Sequence, residues 1–179
     1  MQTITTHMWF DKQAREAAEF YVSLLPESRI KSVVTLHDTP SGDVDTVTFE
    51  LLGREFQAIS AGPEFAFNPS ISFYVTCATK AEVDAIWNRL AEGGMVLMEL
   101  GPYPFSEHYG WLQDKFGLSW QISWPGDRTP GDRAPGGAGS AGADSSRRIT
   151  PLLMFVGEVY GKAEEAIRFW TSVFPDGEI

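Results

Sequence analysis

The sequence predicts an α+β fold in which two βαβββ modules build a cupped mixed sheet, with a partial third βα unit after a linker. Two observations carry this prediction. The order strand, helix and three strands occurs twice within residues 1–125. A strand and a helix of similar sequence then recur once more near the end of the chain. With 43% hydrophobic and 21% charged residues, the 179-residue chain has the composition of a globular protein.

The first half, about residues 1–61, opens with a strand-like run over 4–10. A helix follows, because Ala17, Phe20, Tyr21 and Leu24 recur at helical spacing and Pro26 ends the pattern. Residues 30–36, 44–52 and 55–60 alternate as strands, with a tight turn expected at Gly53.

The second half, about residues 62–125, repeats this order. A strand over 71–76 leads to a helix over 80–91, and strands are predicted over 96–100, 108–112 and 118–124. Neither half has enough sheet to be stable alone, so we expect the halves to pack into one domain with a shared concave face.

Residues 126–148 are rich in Gly, Pro, Ala and Ser and predict a flexible linker. Residues 149–179 then resemble the opening strand and helix of the first half. A repeat that stops there cannot close a sheet, so we expect it to dock on a sheet edge. We favour docking between chains, which predicts a homodimer with residues 149–179 at the interface.

Charge and cysteine content exclude several classes of function. The net charge of −10 disfavours nucleic acid and anionic membranes as partners. Cys77 is the single cysteine, which excludes an internal disulfide and fits a reducing compartment. No apolar run approaches membrane length, and the start lacks the basic character of a signal peptide, so a cytoplasmic protein is expected.

Several segments carry a family resemblance. The paired βαβββ order resembles the vicinal oxygen chelate superfamily, which contains glyoxalase I, bleomycin-resistance proteins and extradiol dioxygenases, and residues 114–122 resemble its common closing motif. More narrowly, the chain is similar to the PhnB-like branch, often labelled "3-demethylubiquinone-9 3-methyltransferase", at residues 18–21, 62–65, 71–73, 110–112 and 116–121. The resemblance covers nearly all of residues 4–124.

The methyltransferase label implies a bound nucleotide cofactor, which needs a glycine-rich turn between a strand and a helix. The glycine-rich segment 136–142 lies in the predicted linker instead. We therefore expect no methyl transfer.

The superfamily resemblance also implies a divalent metal on the concave sheet, held by His and Glu or Gln side chains. Its carboxylate positions fall on Gln57 and Gln121. Its first-strand histidine falls on His7 or, in another register of the strand, on Thr5 or Thr6, while the strand over 71–76 has no histidine. One imidazole and two neutral amides are weak ligands, so the metal-free interpretation is favoured.

The sequence identifies no catalytic residue. It predicts a ligand cavity lined by His7, Trp9, Gln57, Trp120 and Gln121, with both glutamines at equivalent places in the two halves and directed into one cavity. For Trp9 and Trp120 core packing is the alternative, and for His7 a hydrogen-bonded strand position.

Three functions remain open. The first is a cytoplasmic protein that binds an aromatic or amphipathic small molecule without a metal or other cofactor. The second is a metal-dependent lyase, isomerase or dioxygenase that acts on a small oxygenated substrate through His7, Gln57 and Gln121. The third is an interaction module whose partial repeat completes another chain.

Overall fold

A computed structural model of the chain describes residues 4–126, 147–174 and 177–179. The first module consists of β1 (Thr6–Phe10), α1 (Ala14–Leu24), β2 (Arg29–Thr39), β3 (Gly42–Leu51) and β4 (Arg54–Ser60). The second consists of β5 (Ile71–Thr76), α2 (Lys80–Ala91), β6 (Met95–Tyr103), β7 (Ser106–Gln113) and β8 (Ser119–Trp124). The tail adds β9 (Arg148–Leu153), a short 3-10 helix (Gly157–Val159) and α3 (Ala163–Val173). The predicted α+β class and the repeated βαβββ order are confirmed.

Local sequence explains where the elements begin and turn. Thr79 caps α2, because its hydroxyl oxygen accepts a hydrogen bond from the backbone N–H of Glu82 at 3.2 Å. The Glu82 carboxylate in turn accepts from the N–H of Ala78 at 2.9 Å. Leu52 and Gly53 both have positive φ in the tight turn between β3 and β4, which glycine adopts without strain.

The strands form two sheets. The first sheet has the order β1-β4-β3-β2, and the second has the order β6-β7-β8-β5-β9. In each module the first strand lies parallel to the fourth, and the remaining pairs are antiparallel. Helix α1 packs on the first sheet and α2 on the second.

The helix-bearing faces of the two sheets meet in one hydrophobic core. Phe56 on β4 and Phe73 on β5 have ring centroids 5.4 Å apart. Neither β4 nor β5 is an edge strand, because β1 lies outside β4 and β9 lies outside β5. If the two sheets lay edge to edge, β1 and β9 would separate β4 from β5, and neighbouring strands are about 4.8 Å apart. This ring contact therefore requires the two sheets to face one another, with their opposite faces turned away from the core.

A buried carboxylate joins the modules within this core. Asp114, in the turn between β7 and β8, accepts hydrogen bonds at 2.8 Å from the Tyr21 hydroxyl on α1 and from the Trp120 indole N–H on β8. Its other oxygen accepts from the backbone N–H groups of Phe116 and Leu118 at 2.8 and 3.0 Å. The second module thus provides, through Asp114, the hydrogen-bond acceptor for the buried hydroxyl of Tyr21 in the first module.

The tail strand docks on a sheet edge of its own chain. β9 pairs antiparallel with β5 from Ile71 opposite Leu153 to Thr76 opposite Arg148. Arg54 donates to the carbonyl of Ile149 at 3.1 Å, and Arg147 forms an ion pair with Glu82. The expected sheet-edge docking is therefore found within one chain, whereas docking between chains stays a prediction.

Helix α3 contributes no buried residue, and apolar side chains along it, among them Ile167, Phe169 and Trp170, remain exposed. The predicted linker of 126–148 falls mostly on residues 127–146, which lie outside the described residues.

Candidate functional site

Each sheet has one face that no helix covers in the described part of the chain, and the two predicted glutamines lie on these faces. Gln57 is paired with His7 on the parallel first strand, and Gln121 is paired with Tyr74 in the same way. Each glutamine follows a core aromatic residue in its strand. The prediction that the glutamines occupy equivalent places in the two modules is therefore confirmed.

The first open face carries three polar side chains beside an indole. His7, Gln57 and Thr48 form one row across β1, β4 and β3, because they are register partners. Their neighbours along each strand, such as Met8 and Phe56, point into the core, so the row points away from it. His7 and Gln57 are exposed. The next row begins with Trp9.

Trp9 is half-buried at the edge of this face. Its indole N–H donates to the carbonyl of Gly62 at 2.8 Å, and its ring meets the edge of Phe65 with centroids 5.1 Å apart. Phe65 itself is largely exposed. The structure therefore brings together His7, Trp9 and Gln57 of the predicted set on one accessible surface.

The second open face holds Gln121 in a fixed arrangement. The Tyr109 hydroxyl donates to the Gln121 Oε1 at 2.8 Å, and the Gln121 Nε2 donates to the Ser72 Oγ at 2.7 Å. On the same face, the Trp111 indole N–H donates to the Ser119 hydroxyl at 2.8 Å. Both ends of the Gln121 amide are thus occupied, and the residue is only 7% exposed.

Aromatic rings rather than a helix cover Gln121. Phe105, in the turn between β6 and β7, and Tyr103 both contact the Tyr109 ring, with centroids 5.0 and 5.5 Å apart. Tyr74 lies 6.4 Å from the same ring. Burial raises the pKa of Tyr109 and that of Tyr74, so both hydroxyls stay protonated at neutral pH and can donate hydrogen bonds.

The predicted convergence of Gln57 and Gln121 on one cavity is not found within one chain. The open faces turn away from a common core, so the two amides point in different directions. Trp120, predicted as a ligand-binding residue, is 1% exposed and lies in the core with its indole bonded to Asp114. This placement is a correction: Trp120 and Gln121 are neighbours in one strand, and neighbours point to opposite faces.

The donors on these faces do not fit a divalent metal. Among the described residues no three His, Cys, Asp or Glu side chains cluster as a metal site would require. His7 has the neutral amide of Gln57 beside it, and Gln121 is turned away and already bonded at both ends. One imidazole and neutral amides of this kind are weak ligands for a divalent ion.

Sequence reasoning missed Tyr74 and Tyr109, the two tyrosines beside Gln121: Tyr109 donates to its amide oxygen, and Tyr74 is its partner across the parallel strands. A signal for Tyr74 was available, because the repeat places it where His7 stands in the first module. No such signal marked Thr150, which lies opposite Tyr74 on β9 and extends this face by one strand.

A family model described as 3-demethylubiquinone-9 3-methyltransferase matches residues 2–123. The match ends before the tail. Comparison with curated proteins finds no match.

Solved structures resemble the same part of the chain. A structure titled as a putative 3-demethylubiquinone-9 3-methyltransferase, PhnB protein, from Bacillus cereus is 41% identical, with a TM-score of 0.64. The alignment covers 69% of this chain and 99% of that one. A protein from Pseudomonas aeruginosa is 25% identical with a TM-score of 0.60, and the alignment covers 69% of this chain and 98% of that one. The resemblance seen in the sequence is confirmed for residues 2–123.

Proposed function

The chain belongs to the family described as 3-demethylubiquinone-9 3-methyltransferase, and from that premise we propose that it is a cytoplasmic small-molecule-binding protein that acts as a homodimer without a tightly bound metal. The ligand class is aromatic or amphipathic. The observation that carries the proposal is the accessible surface of His7, Trp9 and Gln57, where an apolar ring adjoins two hydrogen-bonding side chains.

Methyl transfer is not part of the proposal, despite the family's description. The connections from strand to helix in the two modules are residues 11–13 and 77–79, and neither contains a glycine. A nucleotide cofactor needs such a glycine for its phosphate or ribose to approach the backbone.

None of the helices in the described part of the chain has the length and apolar character needed to cross a membrane.

We place the ligand between two copies of the chain. His7 and Gln57 are exposed in one copy, and an exposed sheet face encloses a small molecule poorly. The equivalent face with Tyr74 and Gln121 of a second copy would supply the opposite wall. Residues 149–179 would contribute to this contact, because β9 widens the second face beside Tyr74.

Calorimetry with 2-naphthol, a neutral aromatic alcohol, tests the binding site. We expect saturable binding by the intact chain and a loss of affinity of about fivefold in Gln57→Ala, since one neutral hydrogen bond is removed. Asn88→Ala, on the exposed surface of α2, is the matched control and should bind as the unmodified chain does. The absence of saturable binding, or equal affinity in Gln57→Ala, would overturn the proposed site.

Two further measurements test the metal and the dimer. We expect protein purified without chelator to carry far less than one equivalent of Ni, Mn, Zn or Co, and to gain no thermal stability from added ions. One equivalent of any of them would overturn the metal-free proposal. Light scattering should give twice the mass of the 19.8 kDa chain, and a monomer would contradict a site built from two copies.

A further inference from the structure

A mostly apolar row of side chains runs beside the polar row on the first open face. Its members are register partners across β1, β4, β3 and β2: Trp9, Ile59, Thr46 and Val34. The Thr46 hydroxyl donates to the carbonyl of Val34 at 3.0 Å and is thereby occupied. Residues two apart in a strand share a face, so this row lies about 6.6 Å from the row of His7 and Gln57. The face therefore has an apolar side and a hydrogen-bonding side.

Phe65, in the connection between the two modules, adjoins this apolar row at Trp9. The two rings have centroids 5.1 Å apart and lie at 90° to one another. Phe65 is 67% exposed. Two perpendicular rings form a corner, in which a third ring can lie over one of them and meet the edge of the other. Both contacts are geometries that aromatic rings prefer.

The connection is held on both sides of Phe65. Before it, the carbonyl of Gly62 accepts the hydrogen bond from the Trp9 indole at 2.8 Å. After it, Phe67 packs against the core, with its ring centroid 5.0 Å from that of Phe10. Because Phe65 itself stays largely in water, its burial contributes little to folding. The fold therefore keeps an exposed ring beside Trp9, and the stability of the chain does not explain that ring.

We propose that Phe65 and Trp9 select a planar aromatic ligand, whose ring lies in their corner while a hydroxyl group of the ligand bonds to the Gln57 amide. This inference rests on the proposed function and narrows its ligand class from aromatic or amphipathic to aromatic. An amide both donates and accepts, as a hydroxyl does, so the two groups match. A two-ring aromatic alcohol is long enough to span the distance of about 6.6 Å between the rows. A saturated alcohol of the same carbon skeleton lacks the aromatic faces and edges that the corner recognises.

Titration calorimetry with 2-naphthol and with decahydro-2-naphthol, its saturated analogue, tests the selection of an aromatic ring. The two probes share the carbon skeleton and the hydroxyl group. The intact chain should bind 2-naphthol about fivefold more tightly, because an aromatic contact adds about that factor beyond the burial of apolar surface. Equal affinity for the two probes, or tighter binding of the saturated one, would overturn the inference.

Variants at one position locate the contact. Phe65→Leu keeps an apolar side chain and removes the ring, so it should weaken 2-naphthol about fivefold and leave decahydro-2-naphthol unchanged. Phe65→Tyr keeps the ring, so it is the matched control and should bind both probes as the intact chain does. An equal loss of both probes in Phe65→Leu would show that burial alone is at work and would overturn the selection of an aromatic ring.

The same titrations separate this inference from the proposed function. If Gln57→Ala weakens 2-naphthol and Phe65→Leu does not, the proposed function stands and the role of Phe65 is overturned. If the intact chain binds no 2-naphthol, the proposed function fails and this inference fails with it. Light scattering of Phe65→Leu should give the same mass as the intact chain. A lower mass would assign Phe65 to the contact between copies and overturn its place in the ligand site.

Discussion

Replacing Asp114 with asparagine should destabilise the chain strongly, because the carboxylate accepts four hydrogen bonds in a site that is 3% exposed. The asparagine Oδ1 can still accept from the two backbone N–H groups. Its Nδ2 then faces the hydroxyl of Tyr21 and the indole N–H of Trp120. The hydroxyl can turn and accept, but the indole N–H can only donate.

The magnitude follows from these partners. A buried donor left unpaired costs about 1–3 kcal/mol, and exchanging a charge-assisted bond from Tyr21 for a neutral one costs about 1 kcal/mol more. We expect Asp114→Asn to lower the free energy of unfolding by about 3 kcal/mol. For a chain of this size, about 2–4 °C per kcal/mol gives a fall in melting temperature of roughly 6–12 °C.

Urea unfolding followed by tryptophan fluorescence measures this loss. Tyr21→Phe is the matched variant, because it removes one donor to Asp114 and leaves no donor unpaired, so its cost should be about 2 kcal/mol, the contribution of one hydrogen bond to a charged group. If Asp114→Asn costs less than Tyr21→Phe, the Asp114 carboxylate does not hold the two modules together.

Three further outcomes are expected. Gly110→Ala should lower the free energy of unfolding in urea by about 2 kcal/mol, because the added Cβ would lie 2.4 Å from the Trp87 ring. Gly101→Ala, with open space around its Cβ, should cost about 1 kcal/mol or less. Equal costs for the two variants would contradict overpacking at Gly110. The hydrogen bond from Arg147 lowers the pKa of Glu82 in the folded chain. The ionised Glu82 therefore contributes stability above its unfolded pKa of about 4.3, and this contribution is lost as the pH falls through its folded pKa. The stability difference between the intact chain and Glu82→Gln should therefore shrink from about pH 7 to about pH 3, and a constant difference would refute the linkage. Trp170→Glu, on exposed α3, should lower the dimer fraction in light scattering without changing the melting temperature of the monomer, and an unchanged fraction would remove α3 from the interface.

The order of strands and helices could be predicted because it depends on local periodicity. Residues 80–91 carry apolar side chains at helical spacing after the cap Thr79, and α2 spans those residues. The equivalence of Gln57 and Gln121 could also be predicted, since the repeat is visible in the sequence. Both inferences use residues that are close in the chain or related by one internal copy.

The directions of the open faces could not be predicted in this way. They depend on how one module packs on the other, through contacts such as Tyr21 with Asp114, 93 positions apart. Periodicity contains no information about such pairs. The docking of the tail on a sheet edge could be anticipated from its apolar content, but the choice of β5 as the receptor depends on the three-dimensional position of Arg54 and Glu82.

The unequal burial of the two glutamines has a consequence for how each could change over generations. Gln121 is bonded at both ends beneath aromatic rings, so an altered side chain there is paid for in folding, whatever the protein binds. Gln57 occupies the same place in the first module but is exposed, so many side chains would leave the fold intact. Substitutions at position 57 can therefore change which ligand binds while the chain still folds, whereas substitutions at position 121 reduce the stability of the fold. Of two equivalent positions in the repeated module, one can thus alter ligand binding and the other maintains the stability of the fold.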